Sequence, residues 1–343
     1  MALSGAESSS SPWRISGSCP ADWPAKLRRS GGGFFHTPSG LALSAPRGAA
    51  LFAELVDGET VGVAVGVRAR CSLTAEPRHV YLPTLPALAN PEQGDAALAA
   101  LVAVFREQDA AEVVVDAFDA SWLPGTLPGA EETRPRNEYV VRLSADPDEM
   151  MRGCSRHHQR SIRHGQREGW VLRTPDGDEA RVLLRLVQES AADRAAQRRD
   201  AFLVEPNPLA AALTDGEHWG STMFAAWTGP TPLAAALIGW AGRRAFYLRG
   251  GSTPEGYRVG AAAWLHWRVM GELGLRGFSE YNLGGAPPGA ARAGDPAHGL
   301  HRFKREFGAA VRPCQGLRWT LNLAHAYAHG AARWDKGMGK VGE

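Results

Sequence analysis

The stretch "YLRGGSTPEGYRVGAAAWLHW", Tyr247–Trp267, passes through three backbone types. "AFYLRG" reads as a strand, "GSTPEG" as a turn, and "RVGAAAWLHWRVMGELG" as a helix ending before Gly277. A strand that runs through glycines into a helix start presents backbone N–H groups to an anion, because the first turn of a helix leaves its donors unpaired. The same residues also make an ordinary turn before an amphipathic helix, so the rest of the chain has to decide.

Working outward, strands "TMFAAW" and "LAAALIGW" precede this stretch, and "FSEYNLG" and "LRWTLNL" follow it. The N-terminal half repeats the order. "ALFAELV" and "ETVGVAVGV" flank a "DGE" turn as a hairpin, "QGDAALAALVAVFREQDA" is a helix with Asp95 placed to cap it, and "AEVVVDAF" and "EYVVRL" are strands. Two successive sets of hairpin, helix and strand indicate a duplicated α+β unit. The expected organisation is a polar, Ser-rich, disordered tail over 1–22, a first domain over 23–145, a second over 146–322, and a C-terminal helix and tail over 323–343.

Composition excludes several classes. Of 343 residues, 38 are Lys or Arg and 36 Asp or Glu, for a net charge of +2, so any nucleic-acid contact must come from a local basic patch. Apolar runs such as "PLAAALIGW" are too short to span a bilayer, and the first residues lack a basic flank leading into an apolar stretch; the expectation is a cytoplasmic protein with no membrane span. Cys19, Cys71, Cys154 and Cys314 are scattered without a C-x-x-C pair, which argues against a disulfide framework or a zinc site. Abundant Ala, Gly and Arg with few Lys fits a high-GC bacterial source.

Three further segments carry candidate chemistry. A helix is expected from Asp146, a good N-cap before Pro147 and Glu149, to about Gly169. On it Arg152, Arg156, Arg160, Arg163 and Arg167 recur every three or four residues with no acidic residue between Arg152 and Arg167. An ordinary charge run is a solvated face; unmixed sign costs repulsion that a polyanion such as a phosphate backbone relieves. His157, His158 and His164 read as surface residues rather than metal ligands beside so many arginines. "YNLGG", Tyr281–Gly285, ends a strand in glycines and leads through "PPGAARAGDPAHG", a loop that could order on substrate. In "GLHRFKREFG", Gly299–Gly308, two phenylalanines enclose Lys304. A lysine snorkelling from an aromatic patch is the plain reading of that last segment.

Taken in order, "FYLRGGS", "WLHW", "YNLGG" and "GLHRFKREFG" resemble the second half of the Fem family of aminoacyltransferases, within the N-acetyltransferase superfamily. "RHHQRSIRHGQREGW" resembles the family's R-x-x-I-R-x-A-x-x-x-G segment, and "GGGFFHTPSGLAL" a degenerate form of its N-terminal signature. The resemblance implies two tandem N-acetyltransferase-like domains, each a mixed, mostly antiparallel sheet flanked by helices. It also implies transfer of an amino acid from its tRNA ester to an amine, with aminoacyl-tRNA as co-substrate and no bound cofactor. The family's Phe-Lys pair falls on Phe303 and Lys304, the lysine stabilising charge on the ester carbonyl. Its acceptor-binding Tyr falls on Tyr257 and its acceptor-binding Arg on Arg198 or Arg199; Tyr247 and Asn282 complete the substrate-binding set. Arg152, Arg156, Arg160, Arg163 and Arg167 become tRNA contacts.

Departures shift the expected acceptor. Asn282 stands where the family commonly has aspartate, and "LALSAP" lacks the lysine that contacts a nucleotide-linked precursor in some members. The acceptor is then an amine on a cell-wall precursor or a small specialised metabolite or peptide. Two rivals remain. An acyl-CoA-dependent N-acyltransferase keeps the fold and changes the donor; its loop pattern Q/R-x-x-G-x-G/A is matched in part by "YRVGAA", Tyr257–Ala262. A non-catalytic RNA-binding protein keeps the basic helix and drops the chemistry.

Overall fold

The computed structural model describes residues 12–45, 48–57, 59–69, 78–175, 178–180, 183 and 214–322. Arg198, Arg199, Cys71 and the expected C-terminal helix over 323–343 lie outside them.

The first unit contains β1 (Trp13–Ser16), α1 (Trp23–Ser30), α2 (Pro38–Ser44), the hairpin β2 (Ala49–Asp57) and β3 (Glu59–Ala69), and β4 (His79–Leu82). The short strand β5 (Ala87–Leu88), α3 (Gly94–Glu107), β6 (Glu112–Val115) and the long β7 (Ala130–Arg142) follow. Order begins ahead of the expected Trp23. Trp13 is buried and its indole N–H donates to the Ala97 carbonyl at 2.9 Å, so apolar burial pins β1 to the sheet and 12–22 is no disordered tail. Asp95 does not cap α3; it sits in the first turn and accepts from the Gly125 N–H at 3.1 Å, tying down the loop before β7.

The second unit runs α4 (Pro147–Gly153), α5 (Arg156–Arg167), β8 (Val171–Arg173), β9 (Thr214–Asp215), β10 (Trp219–Thr228), β11 (Thr231–Ala241) and β12 (Arg244–Ser252). It continues with α6 (Pro254–Arg258), α7 (Ala261–Leu275), β13 (Glu280–Ala286), α8 (His298–Arg305) and β14 (Ala310–Thr320). The single helix expected from Asp146 to Gly169 is broken. Cys154 turns extended, and Ser155 starts a new helix by accepting from the His158 N–H at 3.2 Å. The break is where the chain leaving α8 packs: the Ser155 N–H donates to the Glu306 carbonyl at 2.7 Å.

Each unit has one parallel strand pair, β4 with β6 and β12 with β13, the crossover being α3 in one and α7 in the other. Everything else is antiparallel, in the order β1-β2-β3-β4-β6-β14-β7-β13-β12-β11-β10-β8. This is an α+β fold of two N-acetyltransferase-like units in one sheet. The units exchange their last strands: β7 pairs with β13 of the second unit, and β14 returns to pair with β6 of the first, the two crossing as neighbours at the centre. Leu317 and Trp319 of β14 therefore bury in the first unit's core with Leu98, Leu101 and Phe105. The second core forms around α7, where Trp264, Met270 and Leu273 meet Ile162 of α5 and Tyr281 of β13. No helix among the described residues is long and apolar enough to cross a membrane.

Strand exchange makes the two cores one cooperative body. Trp319→Ala, made on the last strand of the second unit, should cost about 3–5 kcal/mol and lower a single calorimetric unfolding transition. A second transition left at the wild-type temperature would contradict this reading.

Candidate active site

The cleft is built by strands that part. The β12–β13 ladder covers only Arg244–Phe246 against Glu280–Asn282. Beyond it β12 bulges opposite Leu237 and Ile238 and continues along β11, while β13 turns at Gly284, whose φ of +74° a side chain would resist, and follows β7. Polar backbone left between diverging strands needs a partner. Lys304 of α8 supplies it, its Nζ donating to the Gly285 carbonyl at 2.8 Å.

A cavity of about 480 Å³ occupies the gap, walled by α5, β11, β12, α6, the start of α7, and α8. The start of α7 is a left-handed residue, Gly260, with φ +72° and no side-chain cap. A Cβ there would stand 2.7 Å from the Ser161 hydroxyl of α5, so glycine is required both by the turn and by the close approach of α5. Gly260, Ala262 and Ala263 line the cavity, so the first turn of α7, which no side chain caps, borders it.

Lys304 is 5% exposed. Burial pushes its pKa down to about 7, with the charge of Glu138 acting in the opposite direction. Its other donors face the cavity and the ring of Tyr139, whose centroid is 5.7 Å away. Phe303 beside it is partly buried, packed edge-on to His158 at 5.1 Å and to Phe307 at 5.2 Å. Tyr247 forms part of the wall and meets His266 edge to face at 4.7 Å. Tyr257 stands at the rim, 72% exposed. The structure therefore brings Lys304, Phe303, Tyr247 and Tyr257 together around one cavity.

Asn282 lies elsewhere. It is 1% exposed and lines no part of the cavity. Its amide donates to Asp119 at 3.0 Å and to Glu138 at 2.8 Å, and its carbonyl accepts from the Gly284 N–H at 2.9 Å. Arg244 closes on Asp119, and Arg136 donates to Glu138 at 3.4 Å. Asn282 is thus a structural bridge between two buried carboxylates rather than a substrate-binding residue.

The basic residues divide. Arg156, Arg160, Arg163 and Arg167 share the exposed face of α5, whose opposite face carries the buried His158, Ile162 and Gly165. Arg152 belongs to α4 and pairs with Asp146 at 3.4 Å, because the helix break rotates it away from the row. His158 is buried and not a surface residue. Of the acids that could serve as a general base, Glu280 is engaged by Arg312 at 3.0 Å and Asp295 caps the Ala297 N–H at 2.8 Å; neither lines the cavity. Asp200 lies outside the described residues.

Sequence reasoning missed Glu306, His266 and the Asp119–Glu138 pair. Glu306 lines the cavity two residues after Lys304. His266, the histidine of "WLHW", is buried with a pKa pushed down by that burial to about 3 and shares a hydrogen bond of 2.9 Å with the Tyr281 hydroxyl. Nothing local marks Asp119 or Glu138, whose meeting is long-range.

Comparison with known proteins agrees with this geometry. Residues 152–305 match the family model described as "Acetyltransferase (GNAT) domain", a span that holds every residue lining the cavity except Glu306. No curated protein sequence is similar enough to count as a relative. Among solved structures, FemX superposes with a TM-score of 0.68 at 13% identity, covering 92% of this chain and 99% of its own. L-PGS from Bacillus licheniformis does so with a TM-score of 0.52 at 11% identity, covering 91% and 94%. The likeness to both is one of fold, and it extends over both units.

Asn282→Asp would replace a donor to two carboxylates by a third negative charge among them. It should destabilise the protein by at least about 2 kcal/mol at pH 8, with the loss shrinking toward pH 5 as the new carboxyl takes up a proton. Urea unfolding at the two pH values tests this; an equal loss at both would show that charge is not the cause.

Proposed function

We propose that the protein is an aminoacyltransferase that moves an amino acid from the ester of an aminoacyl-tRNA to an acceptor amine, forming an amide. The observation that carries this reading is Lys304, a nearly buried ammonium set in the cavity wall where the central strands part. The Fem resemblance of "FKREFG" and the FemX-like fold support it.

The chemistry asks little of the protein. The ester is already activated, so an amine held against its carbonyl attacks if the developing oxyanion is stabilised. Lys304 spends one donor on Gly285 and keeps two for that oxyanion. Phe303 and Phe307 pack α8 against α5 and so hold the lysine in place. Tyr257 and Tyr247, at rim and wall, would position the acceptor, and Tyr257 supplies a large exposed surface for it. Arg156, Arg160, Arg163 and Arg167 form the exposed face of the helix whose His157 and Ser161 line the cavity, so a polyanion bound there lies beside the reacting groups. The acceptor would be a small amine, a peptide or a cell-wall precursor.

One observation favours a second donor. The uncapped N-terminus of α7 at the cavity suits a pyrophosphate, as in an acyl-CoA transferase. The two readings separate in one experiment: purified protein and an amine extract are incubated with charged tRNA or acetyl-CoA, with an RNase control, and products are followed by mass spectrometry. An aminoacyl amide abolished by RNase supports the tRNA donor; an acyl product indifferent to RNase replaces it.

Lys304→Ala should reduce turnover about 100- to 1,000-fold with little loss of folded protein by circular dichroism. If the ammonium form is the working one, wild-type activity declines as pH rises through about 7, the pKa to which burial lowers this lysine, and the variant's residual activity lacks that limb. With the tRNA donor, the double variant Arg160→Glu, Arg163→Glu should raise the KM for tRNA at least about tenfold and flatten its salt dependence, leaving kcat nearly unchanged. A steep salt dependence retained in that variant would remove α5 from the tRNA site.

A further inference from the structure

His158 of α5 is 2% exposed, and its hydrogen bonding leaves one nitrogen unaccounted for. Its Nε2 lies 3.0 Å from the Phe303 carbonyl, which the last turn of α8 leaves open because the Phe307 N–H goes to Lys304 instead. A carbonyl can only accept, so Nε2 carries the proton and Nδ1 of the neutral ring is a lone pair. Glu306 Oε2 lies 3.2 Å from that atom, and Nδ1, though buried, has no hydrogen-bond partner. Two lone-pair atoms held this close repel unless a cation lies between them. A third donor is at hand in the exposed His157, and the ligand atoms of His157, His158 and Glu306 lie within 4.8 Å of one another.

We propose that His157, His158 and Glu306 form a binding site for a divalent transition-metal ion of the Zn²⁺ class in the wall of the cleft, with a coordination position open to the cavity. The donor set, two imidazoles and a carboxylate, is of a kind such ions take. Two donors each about 2.0–2.2 Å from a tetrahedral ion are about 3.3–3.6 Å apart, close to the 3.2 Å between Nδ1 and Oε2. His157 is at the surface and closes the remaining distance by rotating its side chain. A ligating histidine commonly donates its other N–H to a backbone carbonyl, and His158 does so to Phe303. All three residues line the cavity, so the open position faces it.

The arginines, which by sequence argue against a cation here, are less of an obstacle in space. Arg156, Arg160 and Arg163 project into solvent, where their charges are screened. Arg302 approaches the other oxygen of Glu306 at 3.8 Å with its side chain 67% exposed, a pairing of little strength. The inference holds whichever acyl donor the cleft takes.

The test uses full-length, metal-free protein without a histidine tag, titrated with Zn²⁺ by calorimetry and with Co²⁺ by visible absorption. The expected result is saturable binding with the intense Co²⁺ bands of a low-coordinate site, weakened at least about tenfold in both Glu306→Gln and His157→Ala. Neither substitution touches the His158–Phe303 hydrogen bond, and thermal melts confirm that both variants fold. His325 and His329, outside the described residues, could bind the ions independently. Binding that survives both substitutions would therefore overturn the proposal, as would no saturable uptake of either ion. Nitrogen-15 spectra showing His158 doubly protonated at pH 7 and unchanged by Zn²⁺ would overturn it too, by showing that a proton bridges the pair.

Discussion

The structure turns on two carboxylates that meet where the units join. Asp119 comes from the first unit, after β6, and Glu138 from the middle of β7; they are 4% and 0% exposed. Two such charges in a sheet interior are tolerable only if every lone pair is answered. Arg244 of β12 answers Asp119, Arg136 answers Glu138, and the Asn282 amide donates to both. The three strands that contribute, β7, β12 and β13, are those whose spacing defines the cleft. Holding the carboxylates together therefore also fixes where β12 and β13 stop pairing.

This arrangement explains why the chain tolerates Asn282. With Asp119 and Glu138 already present, an aspartate at 282 would bring a third charge and no donor, whereas an amide presents two N–H groups to two acceptors. The departure from the Fem pattern compensates for carboxylates placed elsewhere in this chain. It alters the foundation beneath the site, since Asn282 does not reach the cavity.

The elements were legible where their signals are local. The β2–β3 hairpin, α3, the β10–β12 meander and α7 follow from alternation, helical periodicity and turn residues, and the lysine of "FKREFG" lines the cavity. What the sequence concealed is all long-range. The break at Cys154 depends on Glu306, far along the chain, docking its carbonyl on Ser155. The ordering of 12–22 depends on Ala97 accepting from Trp13. The exchange of β7 and β14 leaves no trace in either strand, because an apolar strand reads alike against its own unit or another's. For the same reason the division at 145/146 describes the order of the chain and not the partners of its strands. Glu306 was hidden differently: it sits in a quoted motif, but a glutamate among arginines reads as a solvated pair until His158 is known to be buried beside it.

The fold also shows why Lys304 is costly to keep. A lysine whose pKa is lowered on folding, here from 10.5 to about 7, binds its proton more weakly in the folded than in the unfolded chain. Stability from this group is therefore lowest below about pH 7, where it is charged in both states, and recovers as pH rises toward 10.5, where it is neutral in both. The penalty is fully present at the pH where the ammonium would do its work. An apolar residue of similar length would pack against Tyr139 and Phe307 without that cost and would leave only the Gly285 carbonyl to be satisfied. Glu138, locked in the junction, is positioned to offset part of the penalty by favouring the charged form. The buried carboxylate pair thus serves twice: it joins β7, β12 and β13 where the cleft begins, and one member helps keep a cation in the opening beyond.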